Sequence, residues 1–143
     1  MTRVRFHFNV ADRTDYTCRL LRKATRQGVR VAVSGPAFAL AGLDRALWSF
    51  DPLEFVPHVR LAAGQMLPDR LRATPVCLVE RATDAPMREV LVNFGSDTPD
   101  GFEVFERVVE VVSTTESDRV AARQRWRDYA ARGLAIERHE VPV

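Results

Sequence analysis

Four short runs constrain this chain more than anything else in it: VRVAVS from Val29, PVCLVE from Pro75, VLVNF from Val90 and RVVEVVS from Arg107. Each is rich in β-branched residues, and the second and third carry apolar side chains without alternation. Such a strand is stable only with both faces covered, the setting of a parallel sheet between helices. The segments between supply the helices. From Asp12, a capping residue, to Gln27, the residues Tyr16, Leu20, Leu21 and Ala24 recur at helical spacing, and Gly28 is the stop. Arg19, Arg22, Lys23 and Arg26 fall on the wet side of this helix. Ser34 is expected to cap a second helix, with Pro36 in its first turn and Phe38, Leu40, Leu43 and Leu47 along it. A third spans about Ser117 to Arg132 and ends at Gly133. At the start, RVRFHFNV (3–10) alternates strictly, which predicts a strand with Val4, Phe6 and Phe8 on one face. Near the end, LAIERHEV adds an edge strand, and Phe102 and Phe105 anchor a single helical turn. Residues 60–74 lose all period and read as a connecting loop.

Strands separated by helices require crossover connections. The expectation is therefore an α/β fold, a largely parallel sheet with helices on both faces. Residues 1–143 read as a single domain, since no repeat, low-complexity tract or linker divides them. Its length suffices for a core without disulfides or metals. With 46% apolar and 28% charged residues the composition is that of a soluble globular protein, and a net charge of +2 is too small to argue for nucleic-acid binding. Lys23 is the only lysine; every other basic side chain is arginine. Cys18 and Cys77 lack a CxxC partner and read as small buried side chains in a reducing compartment. The charged, alternating N-terminus is neither a signal peptide nor a membrane span, so a cytoplasmic location is expected.

A fold of this mononucleotide-binding (Rossmann-like) type invites a search for nucleotide chemistry. After the first strand comes ADRTD, without glycine; after the second comes SGPAFAL, with one glycine and no lysine. Neither is a GxxxxGK[ST] or GxGxxG phosphate loop. The three histidines, His7, His58 and His139, show no metal-ligand spacing, and no GxSxG elbow or cysteine nucleophile motif occurs. The sharpest enzymatic arrangement on offer is His58 as a base with Glu54 to orient it. A histidine after Pro57 is better explained by hydrogen bonding to the loop backbone. No cofactor, metal or catalytic residue is expected, and a degenerate nucleotide-binding enzyme stands as the alternative reading.

Two constellations remain. LDRALWSFDPLEFVPH (43–58) packs Trp48, Phe50 and Phe55 into a segment that Pro52 and Pro57 keep irregular. These rings either plug the edge of the core or form a patch that another protein covers. In the last helix, about 100° of rotation per residue gathers Arg119, Arg123, Trp126 and Ala130 into one narrow sector. Ala122 and Tyr129 widen it and Arg127 borders it, while Arg125, Asp128 and Arg132 fall opposite, in water. Five arginines against two aspartates leave residues 117–132 a net charge of +3. Either Trp126 and Tyr129 enter the core while arginines extend outward, or the face is a shallow pocket rimmed by arginine for an acidic, hydrophobic peptide. Nucleic acid is the competing ligand, for which one turn of arginines without a wider basic surface is a weak footprint.

The spacing ALW, six residues, FVPH, together with ARQRWRDYAARG (122–133), resembles the chi subunit family of bacterial DNA polymerase III, and the likeness runs along essentially the whole chain. That resemblance implies a non-catalytic replication accessory of the clamp loader. It implies two partners: a psi-like subunit, in a 1:1 heterodimer, and the acidic C-terminal tail of single-stranded DNA-binding protein, which ends in aspartates and Ile-Pro-Phe. Nucleic acid would be met only indirectly. By alignment with the family, the tail site maps to Val112, Arg119, Arg123, Trp126 and Arg127, and the psi surface to Trp48, Phe55, Val56 and Pro57. The family often carries lysine at the positions of Arg119 and Arg127, and tyrosine at that of Trp126.

Overall fold

The computed structural model describes residues 1–142. Seven strands, β1 (Arg3–Val10), β2 (Val31–Ser34), β3 (His58–Leu61), β4 (Val76–Val79), β5 (Val90–Asn93), β6 (Arg107–Ser113) and β7 (Ala135–Glu140), form one sheet in the order β3-β4-β2-β5-β6-β1-β7. Every neighbouring pair is parallel. Three helices, α1 (Arg13–Arg26), α2 (Ala37–Ser49) and α3 (Glu116–Ala131), provide crossovers. Short 3₁₀ turns at Ala82–Asp84 and Phe102–Val104 serve the other long connections on the α3 side. No helix among the described residues is long and apolar enough to cross a membrane.

The sheet divides the interior into two cores. On one face Cys18 and Leu21 of α1 and Leu40, Leu43 and Leu47 of α2 bury against Val31, Val33, Val76, Leu78, Val92 and Val111. On the other, Ala122 and Tyr129 of α3 meet Phe6, Leu91, Val108 and Val112, with Phe102 and Phe105 beside them. Strands β2, β4 and β5 are buried along their whole length, so their continuous apolar runs are what the architecture demands. The cysteines are free and fall one in each core, where burial pushes both thiols up to about 11.

Helix α1 starts as its sequence dictates: the Asp12 carboxylate accepts a hydrogen bond from the Asp15 amide, and Gly28 beyond its end takes φ 73°. Three expectations give way to the structure. Strand β3, four residues with a charged Arg60, continues from the aromatic segment where only loop was expected. Ser34 does not cap α2; it ends β2, its hydroxyl unpartnered, and Pro36 precedes the helix without a side-chain cap. The chain must first pass Gly35, where a Cβ would lie 3.2 Å from the Phe94 carbonyl carbon. Phe38 is 81% exposed on α2 and does not join the core.

Strand β1 holds one irregularity with consequences. Val4, Phe6 and Phe8 face the α3 side, as strict alternation requires. At Asn9 the backbone turns to φ 65° and the pairing with β6 shifts between His7 and Val10. This bulge swings Val10 into the opposite core.

Candidate functional site

Where β1 ends at this bulge, α3 and β7 leave an open groove of ≈ 580 Å³. Its floor is aromatic. Trp126, half-buried, stands 5.1 Å from the Phe6 ring and 6.3 Å from Phe8, and Phe6 stacks on Phe8 at 5.5 Å. Four arginines form the rim: Arg119, Arg123 and Arg127 on α3, and Arg138 on β7, whose guanidinium lies 4.8 Å over the Phe8 ring. Among the described residues Glu140 is the only carboxylate in the lining, and the Arg123–Glu116 contact at 3.5 Å joins two exposed side chains. Such a pair contributes little and is readily exchanged for another anion.

Of the five residues aligned with the tail site, the groove brings together Arg119, Arg123, Trp126 and Arg127. Val112 is not among them; it is buried in the core beside Ala122. Phe8, Asn9, Arg138 and Glu140 complete the lining and were missing from the sequence reading. The alternation of RVRFHFNV had put Phe8 on the right face; only the adjacency of β7 to β1 was out of reach.

The helical wheel erred on the side of α3 assigned to water, most clearly at Arg125. Arg125 is not in water: it is 3% exposed and donates from Nε to Glu110, also buried, at 2.8 Å and from a terminal nitrogen to the Ser96 carbonyl at 2.7 Å. Glu110 also accepts from the Tyr129 hydroxyl at 2.6 Å and from the Asn93 amide at 3.1 Å. Burial pushes the Glu110 carboxyl up, opposed by Arg125, Tyr129 and Asn93, which favour its charged form. Burial and the neighbouring carboxylate hold the Tyr129 hydroxyl far above its ordinary value, so it remains a donor. Asp128 accepts from Thr98 at 2.8 Å, and Arg132 pairs with Glu103 and lies over the Phe102 ring. The side of α3 read as solvated grips the segment after β5. A signal for this did exist: a lone Glu110 inside RVVEVVS needs a buried cation.

The second constellation lies towards the β3 edge. Trp48 is 66% exposed and Phe55 47%, with ring centroids 4.8 Å apart. Leu53 beside them is almost wholly exposed, and Pro57 is exposed. Val56 instead belongs to the core. The rings are a surface patch rather than a core plug. Beneath them the buried His58 side chain contacts the Val56 carbonyl through Nδ1 at 2.7 Å and the Asp44 carboxylate through Nε2 at 2.8 Å. Glu54 does not orient it; that carboxylate pairs with Arg26, while Asp51 accepts from Arg22 at 2.8 Å. Two arginines read as merely solvated therefore tie α1 to the aromatic segment.

At the carboxyl ends of β2, β4 and β5, where an α/β sheet commonly binds its ligand, a crevice of ≈ 570 Å³ is lined by Glu80, Asp97 and Asp100 against Arg81. Its charge opposes a phosphate. No group of three potential metal-binding side chains occurs among the described residues.

Comparison with known proteins gives the family. The family model described as "DNA polymerase III chi subunit, HolC" matches residues 1–137. The chain belongs to the DNA polymerase III chi subunit family. It is similar to DNA polymerase III subunit chi of Pseudomonas aeruginosa, 32% identical over 147 residues that cover 99% of each chain. It is also similar to the subunit of that name from Haemophilus influenzae, 26% identical over 128 residues covering 89% of this chain and 86% of the relative. Membership makes this chi-family chain an accessory of DNA replication, part of a polymerase III complex.

Proposed function

We propose that the arginine-rimmed groove receives the acidic C-terminal tail of single-stranded DNA-binding protein, and that the Trp48–Phe55 patch pairs with a psi-like subunit of the clamp loader. The chain then links the clamp loader to protein-coated single strands and performs no reaction of its own. The observation that carries the reading is the groove itself: four arginine side chains around a floor of Trp126 and Phe8. Guanidinium groups take carboxylates through paired, charge-assisted hydrogen bonds, and the ring floor receives an apolar residue. Lysine or tyrosine at some of these positions in the family preserves charge and flat apolar area. The exposed pair of rings at Trp48 and Phe55, with Pro57 and Leu53 beside it, is the kind of anchor a protein partner buries; Val56 supports it from below.

The test is titration of a synthetic acidic peptide ending in Asp-Asp-Ile-Pro-Phe, followed by fluorescence. Arg123→Ala removes charge-assisted hydrogen bonds worth roughly 1.5–3 kcal/mol, which weakens binding about ten- to a hundredfold. Arg45→Ala, exposed on α2 across the sheet, is the matched control and leaves affinity unchanged. Arg125 cannot serve as that control, because its removal strands Glu110. Equal losses at Arg123 and Arg45 would mean diffuse attraction and no pocket. The acid-lined crevice disfavours a nucleotide enzyme; micromolar ATP or GTP binding by calorimetry would reverse that judgement.

A further inference from the structure

The alternation of β1 serves two faces. Phe8 supplies the groove, whereas Arg5 and His7 point to the other side of the sheet, towards α1. There the helix leaves a cleft in two adjoining lobes of ≈ 190 and ≈ 290 Å³ that share Arg5, His7, Leu20 and Lys23. Arg107 lines the inner lobe and Arg19 the outer one, and among the described residues neither lobe has a carboxylate in its lining. Around the cleft, Asp15 lies 3.0 Å from Arg19 and Glu137 only 3.9 Å from Arg5. Among the described residues no carboxylate comes within ion-pair reach of Lys23 or Arg107. Three rings stand at the mouth: His7 lies 5.6 Å from Tyr16, to whose hydroxyl its Nδ1 is bonded, and 5.2 Å from His139, both edge-on. Burial first, then the positive charge of His139, Arg5 and Lys23, pulls the His7 imidazole down to about 4. Among the described residues, Lys23 and Arg107 thus lack a carboxylate partner in a cleft whose inner lobe is otherwise largely aliphatic.

We propose that this cleft holds the phosphodiester backbone of single-stranded nucleic acid, with Tyr16 and His139 offering ring surface to an unpaired base. Arginine and lysine neutralise phosphates, and rings beside a basic channel are what sequence-tolerant binding of single strands needs. A duplex fits poorly, because the cations line a narrow recess rather than a broad face. The site is separate from the groove, on the far side of the same strand, so a strand and an acidic peptide can be held together.

Fluorescein-labelled oligothymidylate, titrated into the intact chain and read by anisotropy, tests this. Three phosphate contacts, at Arg5, Lys23 and Arg107, give a logarithmic salt slope of about −2, so affinity falls roughly twentyfold between about 50 and about 200 mM salt. Arg5→Gln with Lys23→Gln brings the slope to about −0.7 and lowers affinity at the lower salt at least about tenfold. Lys23→Gln alone, an exposed position, gives an intermediate slope and covers the case in which the double variant loses its circular dichroism melt. Arg45→Gln, and Arg123→Ala in the groove, leave oligonucleotide binding as it was. No binding at low salt, or equal losses in every variant, overturns the site. So does tight binding of tripolyphosphate that oligothymidylate fails to displace, which marks a pocket for small free anions.

Discussion

Arg125 shows how much one residue can decide. Its guanidinium is out of water and is offset by Glu110, which in turn needs donors from Arg125, Tyr129 and Asn93. Removing one partner of a buried pair costs far more than the pair contributes, because the remaining charge has nowhere to go. Arg125→Met should therefore destabilise the fold by about 3–5 kcal/mol in urea unfolding, whereas Arg123→Ala moves it by less than about 1 kcal/mol. A loss below that at Arg125 would show Glu110 taking up a proton and surviving alone. The wheel of α3 placed Arg119, Arg123 and Trp126 together but put Arg125 in water, since periodicity reports angle and never what stands across the gap. The residue that does stand there was legible as an anomaly in β6, yet its partner was not.

At the level of elements, apolar runs and periodicity revealed α1, α3, β5 and β6 with nearly their observed bounds, because caps and continuous burial leave local marks. Strand β3 left none: four residues at a sheet edge, partly exposed, carry too little apolar character to stand out from the loop beside them. The groove depends on another element that alternation alone cannot describe, the bulge at Asn9. Its φ of 65° is open to asparagine and glycine but strained for a β-branched residue. Asn9→Val should cost about 1–2 kcal/mol of stability, beyond the weak bond from its amide to the Val141 carbonyl at 3.3 Å, and should loosen Phe8 from Trp126. Asn9→Gly should be tolerated within about 0.5 kcal/mol. Thermal melts with Trp126 fluorescence check both; equal cost for the two would mean that the amide, not the backbone, matters.

Across the whole molecule, the ring patch lies near the β3 edge and the groove at the β7 edge, so the sheet separates them by nearly its full width. Six intervals of about 4.8 Å put them roughly 30 Å apart on one rigid body. Trp48→Ala with Phe55→Ala should abolish co-purification of a psi-like protein, leave the melting temperature unchanged and leave tail-peptide affinity within about twofold. Loss of both activities together would mean that the patch supports the fold after all. The strand order has one more effect, on the birth of the chain. Strand β1 is made first, yet its two neighbours are β6 and β7, paired through Arg3 with Arg107 and Ala135. On the ribosome that strand, with Phe6 and Phe8 uncovered, has to wait until β6 and β7 have emerged. Closure over such distances is slow, so the nascent chain passes through an interval in which its most aromatic strand lacks both partners and is exposed to aggregation.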